Sequence, residues 1–375
     1  MTAHRIALSL LVAAALPACT DDTGSSPPDD IPSGPVACKQ NEANNDEILA
    51  CGFGPKLALL GVDSGRIYAV SEPGTFFSID RASGTTTRLY HSQFQQSLQA
   101  RKRGTVIRDG HILFPSNFDD GATISAGVLS IAGDVAQDDA TVLMRGDRFE
   151  PEPTMIDSGS LLYASSIEHG DDFSTFSGRV ISISYDGNHV APVTPDYGMP
   201  IGLRSGYLYY LHDHDAKRVP LAGGAAETVV ASIAFSAWAN DAVGDSYLYG
   251  SSDAAPYDLV GFPIMGGAPI PLAALTSNAE IPESPAHDLH IDGNWLYFMR
   301  SAGVDDTNSA WTSLWRIRLD GSGQPEFVAV GQEMLAPLFD ENFIYLAYNR
   351  GGYDTPLEGV ISRIAKPPMG VCKHC

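Results

Sequence analysis

The chain has 375 residues and a formal charge of −22, from 45 acidic against 23 basic side chains. A surface this acidic repels polyanions, so nucleic acid is excluded as a partner and anionic lipid headgroups are poor partners for the folded body. Hydrophobic residues reach 44% while only 18% are charged, and 37 glycines and 25 prolines interrupt the chain; this profile excludes a mainly helical fold and fits many short strands joined by turns.

Residues 1–18 read as an export signal. Arg5 gives a positive start, and Ile6 to Leu16 is an apolar run too short to span a bilayer as a mature helix. Leu16-Pro17-Ala18-Cys19 then places a small residue before a cysteine and a leucine at the third position before it. The segment resembles the bacterial lipobox. That resemblance implies that the Cys19 thiol is diacylated, that the signal is cut before it and that the new amino group is acylated. It also implies a cell-envelope location, on the periplasmic face or the outer membrane, with the membrane touched only through the lipid. An ordinary cleavable signal without lipid is the alternative. Thr20 to Ala37 is rich in Asp, Ser, Gly and Pro and has almost nothing to bury. Residues 19–45 are therefore expected to be the lipidated cysteine with a disordered tether, and residues 46–375 the folded body.

From about Leu57 to Pro368 one pattern recurs seven times. An apolar strand ends in a polar turn, and a second strand opens on an aliphatic–aromatic or aliphatic pair. A variable loop, a third apolar strand, a Gly-containing turn and a fourth strand follow. The second-strand pairs are Ile67-Tyr68, Ile112-Leu113, Leu162-Tyr163, Leu208-Tyr209, Leu248-Tyr249, Leu296-Tyr297 and Ile344-Tyr345, spaced 40–50 residues apart. Before them stand hairpin residues such as Asp63-Ser64-Gly65, Asp109-Gly110, Asp292-Gly293-Asn294 and Asp340-Glu341-Asn342. Between third and fourth strands stand Ser83-Gly84, Asp186-Gly187, Gly223-Gly224, Gly266-Gly267 and Asp320-Gly321. This period suits a four-stranded blade, and the pattern predicts an all-β, seven-bladed β-propeller of antiparallel blades. A β-sandwich, the alternative, would not repeat its turn chemistry at this period. A second strand of the form DG-x-LY with a GG or DG turn after the third strand resembles the YWTD-type and NHL-type propellers and bacterial lipoproteins that share the module. The resemblance covers most of the chain and specifies fold more than function, since propellers serve as enzymes, binders and scaffolds.

The seventh repeat lacks a fourth strand. Upstream of the first repeat, Glu47-Ile48-Leu49-Ala50-Cys51 is an apolar segment without a partner. It is predicted to close the last blade as its outermost strand, hiding an otherwise open edge. With Cys19 lipidated, Cys38, Cys51, Cys372 and Cys375 flank the propeller, and an exported chain favours disulfides. Three connectivities exist. The closure favours two bridges between the chain ends over local Cys38–Cys51 and Cys372–Cys375 pairs, a Cys₄ zinc site, or a redox-active Cys372-Lys373-His374-Cys375.

Loops between second and third strands, and between blades, share one end of the ring. That end carries the long connections His91–Arg103, Asn117–Ala126, Ser166–Ser177, Ser277–Asp288, Ala302–Thr312 and Asn349–Glu358, and the other end is expected to hold only tight turns. The long-loop end is the predicted binding face. Its acids and histidines include Glu168, His169, Asp172, the run His212-Asp213-His214-Asp215, and His287, Asp288 and His290. Of these, His169, Asp172, His212 and His214 are candidate metal ligands, and a divalent cation is the one cofactor the pattern would allow. The plainer reading of His212–Asp215 is a solvated polar turn, because alternate residues of extended chain point opposite ways. Trp311 and Tyr353 are placed to stack on sugar or peptide, whereas Trp295 and Trp315 lie within strands and read as core. The sequence holds no nucleophile elbow, H-E-x-x-H, Walker loop or EF-hand loop. The leading expectation is a monomeric, non-enzymatic binding or scaffold lipoprotein with a protein or glycan ligand and no cofactor. The rival is a metal-dependent propeller hydrolase or lactonase. It requires three or more of His91, His169, Asp172, His212, His287 and His290 to converge at the central channel.

Overall fold

In a computed structural model the described residues are 46–54, 56–72, 74–92, 104–119, 124–145, 149–169, 176–231, 243–251, 259–273, 286–304, 310–352 and 355–366. The chain divides into two units, Met1–Ile31 and Pro32–Cys375. The first lies outside the described residues, as do the signal, the tether and Cys38, Cys372 and Cys375, so the fold below is that of the second.

The fold is the predicted seven-bladed β-propeller. After β1 (Glu47–Phe53), blade 1 is β2 (Leu57–Val62), β3 (Arg66–Ser71), β4 (Thr75–Asp80) and β5 (Thr86–His91). Blade 2 is β6 (Val106–Arg108), β7 (His111–Asp119), β8 (Ile124–Ala132) and β9 (Thr141–Arg145). Blade 3 is β10 (Phe149–Asp157), β11 (Leu162–His169), β12 (Phe176–Ile183) and β13 (Val190–Pro192). Blade 4 is β14 (Met199–Arg204), β15 (Tyr207–His212), β16 (Asp215–Pro220) and β17 (Glu227–Val230). Blade 5 shows β18 (Tyr247–Ser251), β19 (Leu259–Pro263) and β20 (Ile270–Ala273), with a bridge from Val243 to Leu248 at the innermost position. Blade 6 is β21 (His287–Asp292), β22 (Trp295–Val304), β23 (Ala310–Arg318) and the first half of β24 (Glu326–Phe339). Blade 7 takes the second half of β24, then β25 (Phe343–Gly352), β26 (Thr355–Ala365) and β1.

The second-strand pairs explain the ring. Successive residues of a strand face opposite sides of the sheet, so each pair sends one side chain to each neighbouring blade. Ile67 packs in the core shared by blades 7 and 1, and Tyr68 in the core shared by blades 1 and 2. Leu162 faces blade 2 and Tyr163 faces blade 4. Leu208 faces blade 3 and Tyr209 faces blade 5; Leu296 faces blade 5 and Tyr297 faces blade 7. Finally, Ile344 faces blade 6 while Tyr345 packs with Leu57, Leu59 and Ile67 of blade 1. Seven apolar clusters thus fill the seven interfaces, and the last joins the end of the chain to its beginning.

Closure is made by β1. It pairs antiparallel with β26, from Glu47 opposite Arg363 to Phe53 opposite Gly359, as the outermost strand of blade 7. Its side chains divide between two cores, with a register break between Cys51 and Phe53 that returns Phe53 to the face of Ala50. Ala50 and Phe53 enter the blade 7–blade 1 core and Cys51 enters the blade 6–blade 7 core. A glycine in the third-to-fourth-strand turn of the following blade lets this outer strand pass. Gly84 of blade 1 has φ +71°, and a Cβ there would fall onto the Leu49 carbonyl of β1. Gly187 of blade 3 meets Leu143 of β9, and Gly321 of blade 6 meets Pro271 of β20, in the same way. By this measure β1 occupies the place that β9 and β20 hold in their own blades.

Two expectations are corrected in detail. Four of the long loops at one end begin and end in paired strand. The blade 2 hairpin pairs as far as Asp119 opposite Ile124, blade 3 to His169 opposite Phe176, blade 6 to Val304 opposite Ala310 and blade 7 to Gly352 opposite Thr355. Backbone hydrogen bonding extends these hairpins without needing an apolar side-chain pattern. Nor is the opposite end uniformly trimmed. Residues 133–140 form a longer connection, docked through the Gln137 amide on the Leu89 carbonyl of blade 1 at 2.7 Å.

Gly84→Ala and Gly110→Ala separate backbone strain from closure. Gly110 has φ +75° and open space around it. Its replacement should cost about 1–2 kcal/mol, the left-handed penalty alone. Gly84→Ala should cost about 2 kcal/mol more, for the clash with β1. Urea midpoints measure both, and the excess should vanish in a chain lacking Glu47–Phe53.

Candidate functional site

Two regions of the propeller are the candidates for a functional site: the central channel, and the end of the ring carrying the extended hairpins. The channel is a cavity of ≈ 410 Å³. Its wall comes from the innermost strands, with Leu60, Val106, Met155, Ile201, Leu289 and Leu338 from blades 1, 2, 3, 4, 6 and 7. Thr105, Thr154, Asp157, Asp288 and His290 are its polar groups. A register break in the innermost strand recurs around the ring, at Leu59/Gly61, Pro151/Met155, Pro200/Gly202, His287/His290 and Leu335/Leu338. Such bulges re-aim side chains, and here they act where strands converge on the axis. On β21 the break holds Asp288 at φ 48°. The His287 Nδ1 lies 3.0 Å from the Asp288 carboxylate, and His290 stacks on Phe339 with ring centroids 4.0 Å apart and planes 8° from parallel.

The end where first strands turn into second strands is tied shut. Asp340 accepts from the Tyr345 hydroxyl and from the Asn342 and Phe343 amides, each at 2.7 Å, and pairs with Arg81 of blade 1. Asp63 repeats this: Tyr68 and Arg66 donate at 2.7 Å and Gly65 at 2.8 Å. Between blades 2 and 3, Arg108 reaches Asp157 at 3.3 Å and the Gly159 carbonyl at 2.8 Å, with its guanidinium over the Tyr185 ring. Arg204 pairs with Asp245 across blades 4 and 5, and Lys366 with Asp292 across blades 7 and 6. Arg363 holds Glu47 of β1 in a two-point contact at 2.7 and 2.9 Å and donates to the Arg81 carbonyl. Burial pushes the Asp340 carboxyl up, but the tyrosine, the two amides and Arg81 outweigh it and hold the group below its usual 3.8. Tyr345 is pushed up to about 12 by burial and by the Asp340 hydrogen bond.

The sequence-predicted site residues are dispersed. His91 bonds Thr75 at 2.8 Å on the outermost strand of blade 1. His212 ends β15, with Nδ1 2.7 Å from the Tyr197 carbonyl and Nε2 3.5 Å from Asp196. Asp196 also takes Lys217 at 2.6 Å and Tyr210 at 3.1 Å. Asp213 and His214 form the turn, with Asp213 at φ 53°. Asp172, Tyr353 and the His169 side chain lie outside the described residues. Among the described residues no group of three His, Cys, Asp or Glu side chains could hold a metal ion. Trp295 and Trp315 are core, as expected, and Trp311 is 37% exposed in the blade 6 hairpin. Of the named histidines, His290 reaches the channel together with Asp288. The remaining wall residues carry no polar pattern that marks them in the sequence.

No family model matches the chain, and no curated protein matches it. Solved structures do. An oligogalacturonate lyase in complex with manganese superposes with a TM-score of 0.53 at 11% identity, over 86% of this chain and 93% of that one. An oligogalacturonate lyase from Vibrio parahaemolyticus gives 0.52 at 8%, over 86% and 93%. YCF48 bound to D1 peptide gives 0.52 at 11%, over 87% and 99%. At these identities the likeness is one of fold.

Asp340 links this geometry to pH. Its folded value lies below its unfolded value, so its stabilisation is fully present above about pH 4 and is lost as pH falls through the folded value. Asp340→Asn should lower stability by about 2–3 kcal/mol at pH 7. In a urea series the gap between variant and parent should narrow steadily below pH 4, and Tyr345→Phe should lose about 1 kcal/mol.

Proposed function

We propose that the protein is a lipid-anchored cell-envelope propeller that binds a protein or glycan at its hairpin-bearing end and catalyses no reaction. The contrast between the two ends carries this reading. One end is stapled by ion pairs between blades. At the other, the hairpins of blades 2, 3, 6 and 7 run on beyond the six-residue pairing of blades 1 and 4. Paired strands make stiffer arms than loops, and stiff arms lose less entropy on binding. Trp311 offers one such arm a partly exposed aromatic face, suited to sugar or peptide. The lipobox-like Leu16–Cys19 supports the address. The position of Cys51, buried in β1 against β26, supports bridges joining the Cys38–Cys51 end to the Cys372–Cys375 end.

The rival, a metal-dependent hydrolase or lactonase, draws its support from His287, Asp288 and His290 on one innermost strand. It requires further ligands from other blades.

Cys19→Ala should move the protein from the membrane to the soluble fraction while leaving its urea midpoint unchanged. Shortening the blade 2 and blade 6 hairpins to two-residue turns should abolish binding to an envelope extract or glycan array. Arg204→Ala, at the stapled end, should leave binding intact. Stoichiometric metal in protein purified without chelator, lost in His290→Ala, would favour the hydrolase.

A further inference from the structure

We propose that the central channel is a binding site for a neutral, hydroxyl-rich ring of monosaccharide size, held by backbone groups rather than by a charge. A coincidence between strand register and cavity carries this. The register breaks of β2, β10, β14, β21 and β24 fall at Leu60, Thr154, Ile201, Leu289 and Ala336. Each of these residues lines the channel. A bulge disrupts the ladder and turns its extra peptide group away from it. The innermost strands β2, β6, β10, β14 and β21 also each end their sheet, and an end strand directs alternate N–H and C=O groups outward. The channel is therefore ringed by neutral peptide donors and acceptors from several blades.

The guest that matches such a ring is one whose polar groups both donate and accept, which is the property of a hydroxyl. The Thr154 hydroxyl adds to the set: the residue is 6% exposed, lines the cavity and makes no hydrogen bond to a described residue. Asp157 keeps its contacts with Arg108 and Gly159, and Asp288 keeps His287; a carboxylate accepts from a guest hydroxyl without giving these up. Leu60, Met155, Ile201 and Leu338 bring aliphatic contacts from four blades, which suit the C–H faces of a ring. A purely apolar guest would strip water from the peptide groups and return no hydrogen bond. An anionic guest would find no lysine or arginine among the described lining residues, inside a molecule of net charge −22. The cavity of ≈ 410 Å³ falls within the ~300–1,000 Å³ range of small-molecule sites.

Titration calorimetry of the full chain with D-glucose, D-galactose and D-mannose tests this, with cyclohexanol and D-glucuronate as ring-sized controls. At least one hexose should bind saturably at one site, and both controls at least ~10-fold more weakly. Thr154→Val keeps the branched shape and removes only the hydroxyl, so it should retain the parent urea midpoint and lose roughly 3- to 10-fold in hexose affinity. Leu338→Trp, which fills the cavity from blade 7, should remove hexose binding. The protein with shortened blade 2 and blade 6 hairpins should bind the hexose as the parent does, which separates this site from the hairpin-end reading. No saturable hexose binding, equal affinity for either control, unaltered affinity in Thr154→Val, or loss of binding on shortening the hairpins would overturn the proposal.

Discussion

Neighbouring side chains on a strand must point to opposite faces, and in this chain that one constraint builds the ring. Each second strand opens on two buried residues, and neither can be buried within its own blade. The aliphatic residue needs the preceding blade and the next residue needs the following one. A linear array satisfying this rule would leave Ile67 bare at one end and Tyr345 bare at the other. Bending the array until those two residues share one core removes both exposed faces. Full burial of a large apolar side chain is worth about 1.5–3 kcal/mol, so closure is favoured by the residues that define the repeat.

Closing the ring requires an outer strand that the seventh repeat does not contain. β1 supplies it and covers the edge of β26. The strand is tied in covalently remote places: Arg363 holds Glu47, Gly84 of blade 1 passes Leu49, and Tyr348 donates to the buried Asp46 at 2.8 Å. The ion pairs between blades lie at this same end of the ring. With that end secured, the opposite end is free to carry long hairpins. The innermost strands, held from both sides, carry register breaks and a left-handed aspartate around the channel.

The fold was legible in the sequence because its two signals are local. The paired second-strand residues report burial on both faces, and the Asp- and Gly-containing turns report positive φ, as Gly84, Gly187 and Gly321 bear out. Closure by Glu47–Cys51 could be read from an unpartnered apolar run beside a blade lacking a strand. Other features were not legible. β24 serves blades 6 and 7 as one continuous strand, with Glu333 at φ 50° between its two halves. The hairpin extensions past Asn117 and Ser166 are made by backbone hydrogen bonds, to which side-chain periodicity is blind. The channel wall draws one to four residues from the innermost segment of each of six blades, so no single segment of sequence displays it. The most conspicuous polar run, His212–Asp215, is a hairpin turn.

Hydrogen exchange of the native protein across a urea series tests the ring most directly. If closure through β1 makes the propeller one cooperative unit, the amides of Glu47–Phe53 and of Phe343–Tyr348 should exchange with the same free energy and urea dependence as those of Leu208–Leu211 in blade 4. If the β1 and blade 7 amides exchange through a separate, smaller opening while blade 4 remains protected, the ring is not held by its closure.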